Sequence, residues 1–304
     1  MGNKVIKKST KVKEVNREVL LTLVQPYPAL LLRTRFERIL VIADLHIGWE
    51  ISLAERGIHV PSQTPKILKR LFGLIDLCKP TCLLLLGDVK HTIAKVGLEE
   101  WQDIPSFFEA VLKKVSDIKV ILGNHDGNLE PLLPENVKLF PSTGIAIGDA
   151  GFFHGNAWPA PELLACQSLV MGHVHPTVVF KDPMGFRITA QIWVKAKLNG
   201  DLLAKAFLKN LGVQVKKEKN GDIVRLLRQK VNVRLKASEL FIMPCFNNFL
   251  GGRSINRRGK NRYSRAVEYL GPVLRSGSVD FENAETYLLD GSFLGTVKQL
   301  KSLG

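Results

Sequence analysis

The sequence predicts an α/β fold, and three observations carry that prediction. Continuous apolar runs of strand length end at Gly or a polar residue: RILVIAD (Arg38 to Asp44), CLLLLGD (Cys82 to Asp88) and IKVILGN (Ile118 to Asn124). Amphipathic stretches separate them. After Lys119 the pattern changes to shorter strands with tight turns. A strand without alternation is buried on both faces, and strands alternating with helices are the signature of an α/β architecture.

In chain order, residues 1–18 are charged and unpatterned and are expected to be a flexible basic arm, leaving 19–304 as one domain. PKILKRLFGLIDLCK (Pro65 to Lys79) and WQDIPSFFEAVLKKV (Trp101 to Val115) space their apolar residues as helices do. Pro65 suits a first helical turn, and Pro105 predicts that the second helix starts near Ile104. VKLF is a strand, and GIAIGDAGFFHG reads as a hairpin ending at His154. A further strand, Leu169 to Met171, stops at Gly172. The region near 195–236 is rich in Lys, Asn and Gly and reads as an insertion. Strand-like runs return at LFIMPCF and TYLLDG, with a basic segment near 251–265 between them.

A chain of 304 residues can bury one large core. No apolar stretch approaches the roughly 20 residues that span a bilayer, and the lysine-rich N-terminus has no secretory apolar region. A cytoplasmic protein without a membrane partner is expected. Cys78, Cys82, Cys166 and Cys245 are too few and scattered for a disulfide framework and read as buried thiols. Trp49, Trp101, Trp158 and Trp193 read as core or groove-lining packing, and Gly251 and Gly252 as a flexible loop, since no P-loop spacing follows.

The net charge of +15 favours polyanionic partners, nucleic acid or nucleotides, although a lysine-rich surface serves solubility equally well. Basic residues cluster at Lys4, Lys7, Lys8, Lys11 and Lys13, and again at Arg253, Arg257, Arg258, Lys260, Arg262 and Arg265. The second cluster suits a phosphate backbone or a solvated loop.

The chemistry concentrates in five places at or near the ends of apolar runs. These are Asp44 with His46, Asp88 with His91, Asn124 with His125 and Asp126, His154, and His173 with His175. Ligand sites of open α/β sheets form at the carboxyl ends of strands, so clusters far apart in sequence can converge there. Residues 44 and 46 point to the same side of an extended segment, as do 173 and 175, so each pair is expected to aim two ligands at one ion. Singly each place is weak evidence, because Gly-Asp after a strand is commonly a turn and a lone strand histidine is commonly a satisfied core residue. Together they offer hard oxygen and imidazole and no thiolate. That set suits two five- or six-coordinate cations, Mn²⁺ first, with Fe²⁺ or Zn²⁺ as alternatives. Two such cations polarise both the attacking and the leaving oxygen in phosphoryl displacement.

In that order DLH, GDVKH, GNHD, FHG and GHVHP, spanning about residues 38 to 176, resemble the five signature blocks of the calcineurin-like metallophosphoesterase superfamily. IMPCFNNFLGG and LLDGSFLG resemble the closing segments of archaeal phosphoesterases related to SbcD, a bacterial nuclease subunit. The resemblance implies two stacked mixed β-sheets flanked by helices. It implies a first metal on Asp44, His46, Asp88 and His175, and a second on Asp88, Asn124, His154 and His173, with Asp88 bridging. It casts His125 as the residue that contacts the phosphate and protonates the leaving oxygen, Asp126 as its orienting partner, and His91 as a neighbour of the substrate. The implied reaction is attack by a metal-bridging hydroxide on a phosphodiester of nucleic acid or nucleotides. A small-molecule phosphomonoesterase or phosphodiesterase, and a nucleic-acid-binding protein with an idle metal site, are the alternatives.

Overall fold

The computed structural model describes residues 20–93, 98–215, 222–257 and 270–302. The expected basic arm, and Arg258, Lys260, Arg262 and Arg265 of the second basic cluster, lie outside the described residues.

One sheet holds β1 (Leu20–Leu23), β2 (Ala29–Arg33), β3 (Arg38–Ile42), β4 (Cys82–Leu86), β5 (Asp117–Ile121) and β6 (Val137–Phe140), side by side in sequence order. β1 to β3 pair antiparallel, and β3 to β6 pair parallel. Helices α1 (Ile51–Ala54) and α2 (Thr64–Cys78) lie between β3 and β4, and α3 (Leu98–Leu112) lies between β4 and β5. Alternate residues explain why these strands are apolar throughout. Leu40, Ile42, Leu83 and Leu85 pack with Leu71 of α2 and Phe107 of α3, while Ile39, Val41, Leu84 and Leu86 pack against the second sheet. Each such burial contributes about 1.5–3 kcal/mol, so both faces reward an apolar residue.

The second sheet is built from β7 (Ile145–Ile147), β8 (Ala150–Phe153), β9 (Ser168–Met171), β10 (Pro176–Lys181), β11 (Arg187–Lys197), β12 (Glu239–Ile242) and β13 (Arg253–Ser254). Their order is β13-β10-β11-β12-β9-β8-β7, and β14 (Glu285–Leu288) joins through β11 and carries β15 (Phe293–Thr296). The expected hairpin ending at His154 is β7 and β8, paired antiparallel. β8, β9 and β12 run parallel to one another. Phe152, Val170 and Trp193 of this sheet meet the first sheet. Its other face packs on α4 (Gly200–Asn210), α5 (Asp222–Val231), α6 (Pro272–Arg275) and α7 (Val297–Ser302) through Phe207, Leu227, Val273 and Leu300. The architecture is two mixed sheets flanked by helices, as the resemblance implied.

β11 continues to Lys197, where Lys195 pairs with Phe241, so the polar region from 195 begins inside a strand. Asn199 then starts α4 by accepting the Leu202 N–H at 3.0 Å.

Two expectations are corrected. α3 begins at Leu98 and carries Pro105 in its interior. The first turn is held by tertiary contact that outweighs the proline penalty: buried Glu100 accepts the backbone N–H groups of His91 (3.1 Å) and Thr92 (2.9 Å). Trp101 is 51% exposed on that turn and joins no core cluster among the described residues. The four cysteines are free thiols, three of them buried. Among the described residues, no helix is long and apolar enough to cross a membrane.

Candidate metal centre

The site forms where strand ends from both sheets meet. Asp44 follows β3, Asp88 follows β4, Asn124 to Asp126 follow β5, His154 follows β8, and His173 and His175 lie between β9 and β10. Hydrogen bonds join the two sheets here. His154 Nδ1 donates to the Leu86 carbonyl at 2.9 Å, and the His173 N–H donates to the Asp44 carboxylate at 3.1 Å.

The backbone that aims these side chains is left-handed. Asp44, His46, Asp88, His173 and His175 have φ between 44° and 68°, five of the eight non-glycine residues with positive φ among the described residues. This corrects the extended-segment expectation. His175 joins Asp44 and His46, whereas His173 joins Asp88 and His154, so the G-H-V-H pair splits between two clusters. Each left-handed residue costs on the order of 1–3 kcal/mol, and such strain persists only where surrounding bonds enforce it. Here the Asp44 N–H donates to Gly87 O at 3.1 Å and the His46 N–H to Asp88 O at 2.9 Å.

Gly87 shows how tight the packing is. It has φ +78°, and a Cβ at this position would overlap the His154 ring. Gly87→Ala is expected to cost about 3 kcal/mol through backbone strain and overpacking together. The melting temperature of the metal-free protein should fall by several degrees, and an unchanged value would show that His154 can move aside.

The donor atoms suit metal ions. Asp44, His46 and His175 form one group whose ligand atoms lie within 4.8 Å of one another, and Asp88, His154 and His173 form a second. His46, His91 and His125 form a third such group. His175 Nε2 lies 3.3 Å from Asp44 Oδ1, and His154 Nε2 lies 3.3 Å from Asp88 Oδ2. Yet Nε2 of His46, His154 and His175 is buried in each case without an aligned hydrogen-bond partner among the described residues. Three orphaned imidazole nitrogens beside two carboxylates fit a cation site, since buried polar atoms otherwise find partners.

Electrostatics give the same picture. Burial tends to raise the carboxyls of Asp44 and Asp88, but the histidines beside them more than reverse this, and both stay below the ordinary range. Burial pushes His46 down to about 3 and His173 down to about 4, so both stay neutral and able to ligate. Burial also works against charging His154, but Asp88 and Asp44 outweigh it and lift that imidazole to about 9. In the metal-free protein at neutral pH, His154 therefore holds a proton that an incoming cation must displace. Metal affinity is expected to rise between pH 7 and 9, by up to about tenfold per pH unit, with proton release on binding. Calorimetry in buffers of different ionisation enthalpy checks this, and pH-independent affinity without proton release would contradict it.

His125 lines the cavity between the clusters, and His91 groups with His46 and His125. The His125 backbone N–H donates to Asp88 Oδ1 at 2.9 Å, and its ring Nδ1 is held by the His91 carbonyl. His91 Nδ1 lies 3.2 Å from His46 Nδ1. The expectation that Asp126 orients His125 is corrected. Buried Asp126 accepts the N–H groups of Val89 (2.8 Å), Lys90 (3.2 Å) and Gly123 (2.7 Å), so it clamps the Asp88 loop to the Asn124 loop, and a carbonyl orients the His125 ring instead. Burial and nearby Asp88 lift the Asp126 carboxyl to about 6.

His46, Asp88, Asn124, His125, His173 and His175 line a cavity of about 360 Å³, and Gly251, Gly252 and Arg253 complete its wall. Gly252 is thus packed and not part of a free loop. A Cβ on Gly252 would overlap the His175 carbonyl, and the Arg253 N–H donates to that carbonyl at 2.9 Å. Sequence reasoning also missed the support beneath Asp44. Cys245 Sγ donates to Asp44 O at 2.9 Å, and Asn247 Nδ2 donates to Leu45 O at 3.0 Å. A polar Asn after the apolar IMPCF run was the available signal. Lys90, fully buried with Nζ donating to Thr92 O, gave no signal in sequence because lysine is ordinarily a surface residue.

Hard oxygens and imidazoles, with no thiolate, Ser or Cys nucleophile lining the cavity among the described residues, suit metal-assisted hydrolysis, and on this two-sheet fold that means a metal-dependent phosphoester hydrolase. The profile described as calcineurin-like phosphoesterase matches residues 37–215, more than half of the chain. The chain belongs to this family, and membership implies a dinuclear divalent-metal site. No curated protein matches the chain. Among solved structures, the nuclease MPE of Pseudomonas putida is similar at 15% identity and TM-score 0.45, covering 90% of this chain and 98% of its own. Yfce, a phosphoesterase from E. coli, is similar at 19% identity and TM-score 0.31, covering 47% of this chain and 73% of its own. Likenesses this distant bear on neither activity nor substrate.

Proposed function

We propose that the chain is a manganese-dependent phosphodiesterase acting on nucleic acid or nucleotides. In this reading Asp44, His46, Asp88 and His175 hold one cation, and Asp88, Asn124, His154 and His173 hold the other. The orphaned Nε2 atoms beside Asp44 and Asp88 are the observation that supports it most. When bound, the two cations supply Lewis-acid activation of water and neutralise charge on the phosphoryl group.

The protein residues supply position and protons. The Leu86 carbonyl holds His154 by Nδ1 and leaves Nε2 as its ligating nitrogen. The His91 carbonyl holds His125 in the same way, leaving its Nε2 to face the ester and donate a proton to the leaving oxygen. His91 stands beside His46 and His125, and Asp126 keeps the two catalytic loops in register. A net charge of +15, and Arg253 in the cavity wall at the head of a basic run, support an extended polyanionic substrate. Resemblance of the closing segments to the SbcD-related group supports the same reading.

The test is hydrolysis of a chromogenic phosphodiester beside its monoester after Mn²⁺ loading, followed by single- and double-stranded DNA and RNA over a salt series. Diester turnover with nucleic-acid cleavage that weakens steeply with salt supports the proposal. Monoester turnover alone places the substrate among small molecules.

A further inference from the structure

We propose that the hairpin of β10 and β11 is a nucleic-acid wedge, inserting Met184 and Phe186 between bases while Lys181 and Arg187 contact phosphates. This rests on the nucleic-acid reading above. Among the described residues, β12 pairs with β11 from Val194 and β14 pairs with it from Ile192, whereas residues 187–191 pair with β10 alone. The outer part is a ribbon with an unusual surface. Met184 is 85% exposed, Phe186 69% and Ile188 66%. Soluble surfaces rarely leave such a contiguous apolar patch without an interaction to serve.

The tip is built, not loose. The Gly185 N–H donates to Asp182 O at 3.0 Å, the Phe186 N–H donates to the Asp182 carboxylate at 2.8 Å, and the Asp182 N–H donates to Phe186 O at 3.0 Å. One of these bonds engages an oxygen of the Asp182 carboxylate, and the three together fix the turn that carries Met184 and Phe186, at little further entropy cost on binding. Behind the tip the register puts Phe180 opposite Ile188, on the face shared with buried Val178. Lys181 stands opposite Arg187 on the other face. Like charges directly opposite each other weaken a ladder, and an anion between them relieves the repulsion. An apolar tip of Met and Phe flanked by Lys and Arg is the composition with which proteins part stacked bases while holding the backbone.

The hairpin's root is in the metal centre. β10 starts at Pro176, next to His175, and Arg253 of the cavity wall pairs with Pro176. Its six residues, Pro176–Lys181, extend about 20 Å at roughly 3.3 Å per residue. That equals about six nucleotide steps at 3.4 Å each. The wedge is therefore expected to act about six steps from the scissile phosphate and to be irrelevant to a substrate shorter than that.

The test compares the full chain with two double variants, Met184→Ser with Phe186→Ser, and Lys181→Gln with Arg187→Gln. All four side chains are exposed, so the fold should be unaffected. The metal-free proteins are titrated with a DNA duplex carrying a fluorescent adenine analogue that brightens on unstacking, and the Mn²⁺-loaded proteins are assayed on the chromogenic diester. The wild type should brighten the analogue. The Met184/Phe186 variant should abolish the brightening and weaken binding tenfold or more, with chromogenic turnover unchanged. The Lys181/Arg187 variant should lower the slope of log affinity against log salt by about 2. Equal binding and brightening in all three proteins would overturn the wedge while leaving nucleic acid as substrate. A wild type that turns over the chromogenic diester but neither binds nor cleaves DNA or RNA would instead remove the nucleic-acid reading and the wedge with it. A wild-type dimer that the Met184/Phe186 variant dissociates, with DNA binding unchanged, would also overturn the proposal and assign the tip to self-association.

Discussion

Replacing Asp88 by Asn is expected to lower phosphoester hydrolysis by about a thousandfold or more and to cost the protein bound metal. The carboxylate is central to the site: Oδ2 lies 3.3 Å from His154 Nε2, 3.6 Å from His46 Nε2 and 4.0 Å from His125 Nε2. Asn keeps the volume, and its oxygen can still accept the His125 N–H now made to Oδ1, so the fold should survive. What is lost is a charge placed between imidazoles in a buried site. Lewis-acid stabilisation of phosphoryl transfer is worth several kcal/mol, and each 1.36 kcal/mol is tenfold in rate. His154 offers a second readout independent of turnover. Its imidazole is lifted to about 9 mainly by Asp88, so in the metal-free variant it should titrate closer to the ordinary histidine value. Elemental analysis for metal content and NMR titration of His154 test the two parts separately. Full metal content and turnover in the variant would remove Asp88 as the bridging ligand.

His125→Asn is expected to behave differently, keeping its metal while losing about 10²- to 10⁴-fold in rate, the range for a positioned proton donor. His125 is partly open to the cavity and its ring hangs on the His91 carbonyl. A proton donor matters most where the leaving oxygen is basic. The loss should be large for an ester with an alkyl or sugar leaving group and small for a nitrophenyl ester, whose leaving group departs without help. Equal losses on both esters would assign His125 to phosphate binding instead. Loss of metal would place it among the ligands.

Most of the site was legible in the sequence. Asp44, Asp88, Asn124, His154 and His173 each closely follow an apolar strand, and a polar residue there is cheap only if it is used. Local order made those positions readable, because a strand end is defined by the few residues around it. The support beneath them was not readable. Asn247 holds Leu45 across 202 residues of sequence, and Cys245 reaches the Asp44 carbonyl across 201. Glu100 overrides the proline of α3 by bonds to a neighbouring loop, which no local propensity encodes.

The sequence by itself determined the α/β class, the buried strands β3, β4 and β5 and the chemistry of the donor set, because burial on two faces and the choice of ligand atoms are written in residue type and short-range pattern. The tertiary structure decided the backbone conformation that presents those donors. Left-handed backbone at residues 44, 46, 88, 173 and 175 sends His173 and His175 to different clusters, a conformation that costs energy locally and exists only because bonds between the two sheets hold it. It also decided that Gly252 and Arg253 wall the cavity, because β10 pairs with Arg253 beside His175, and that Met184 and Phe186 stand in solvent, because the hairpin runs on past the strands that flank β11.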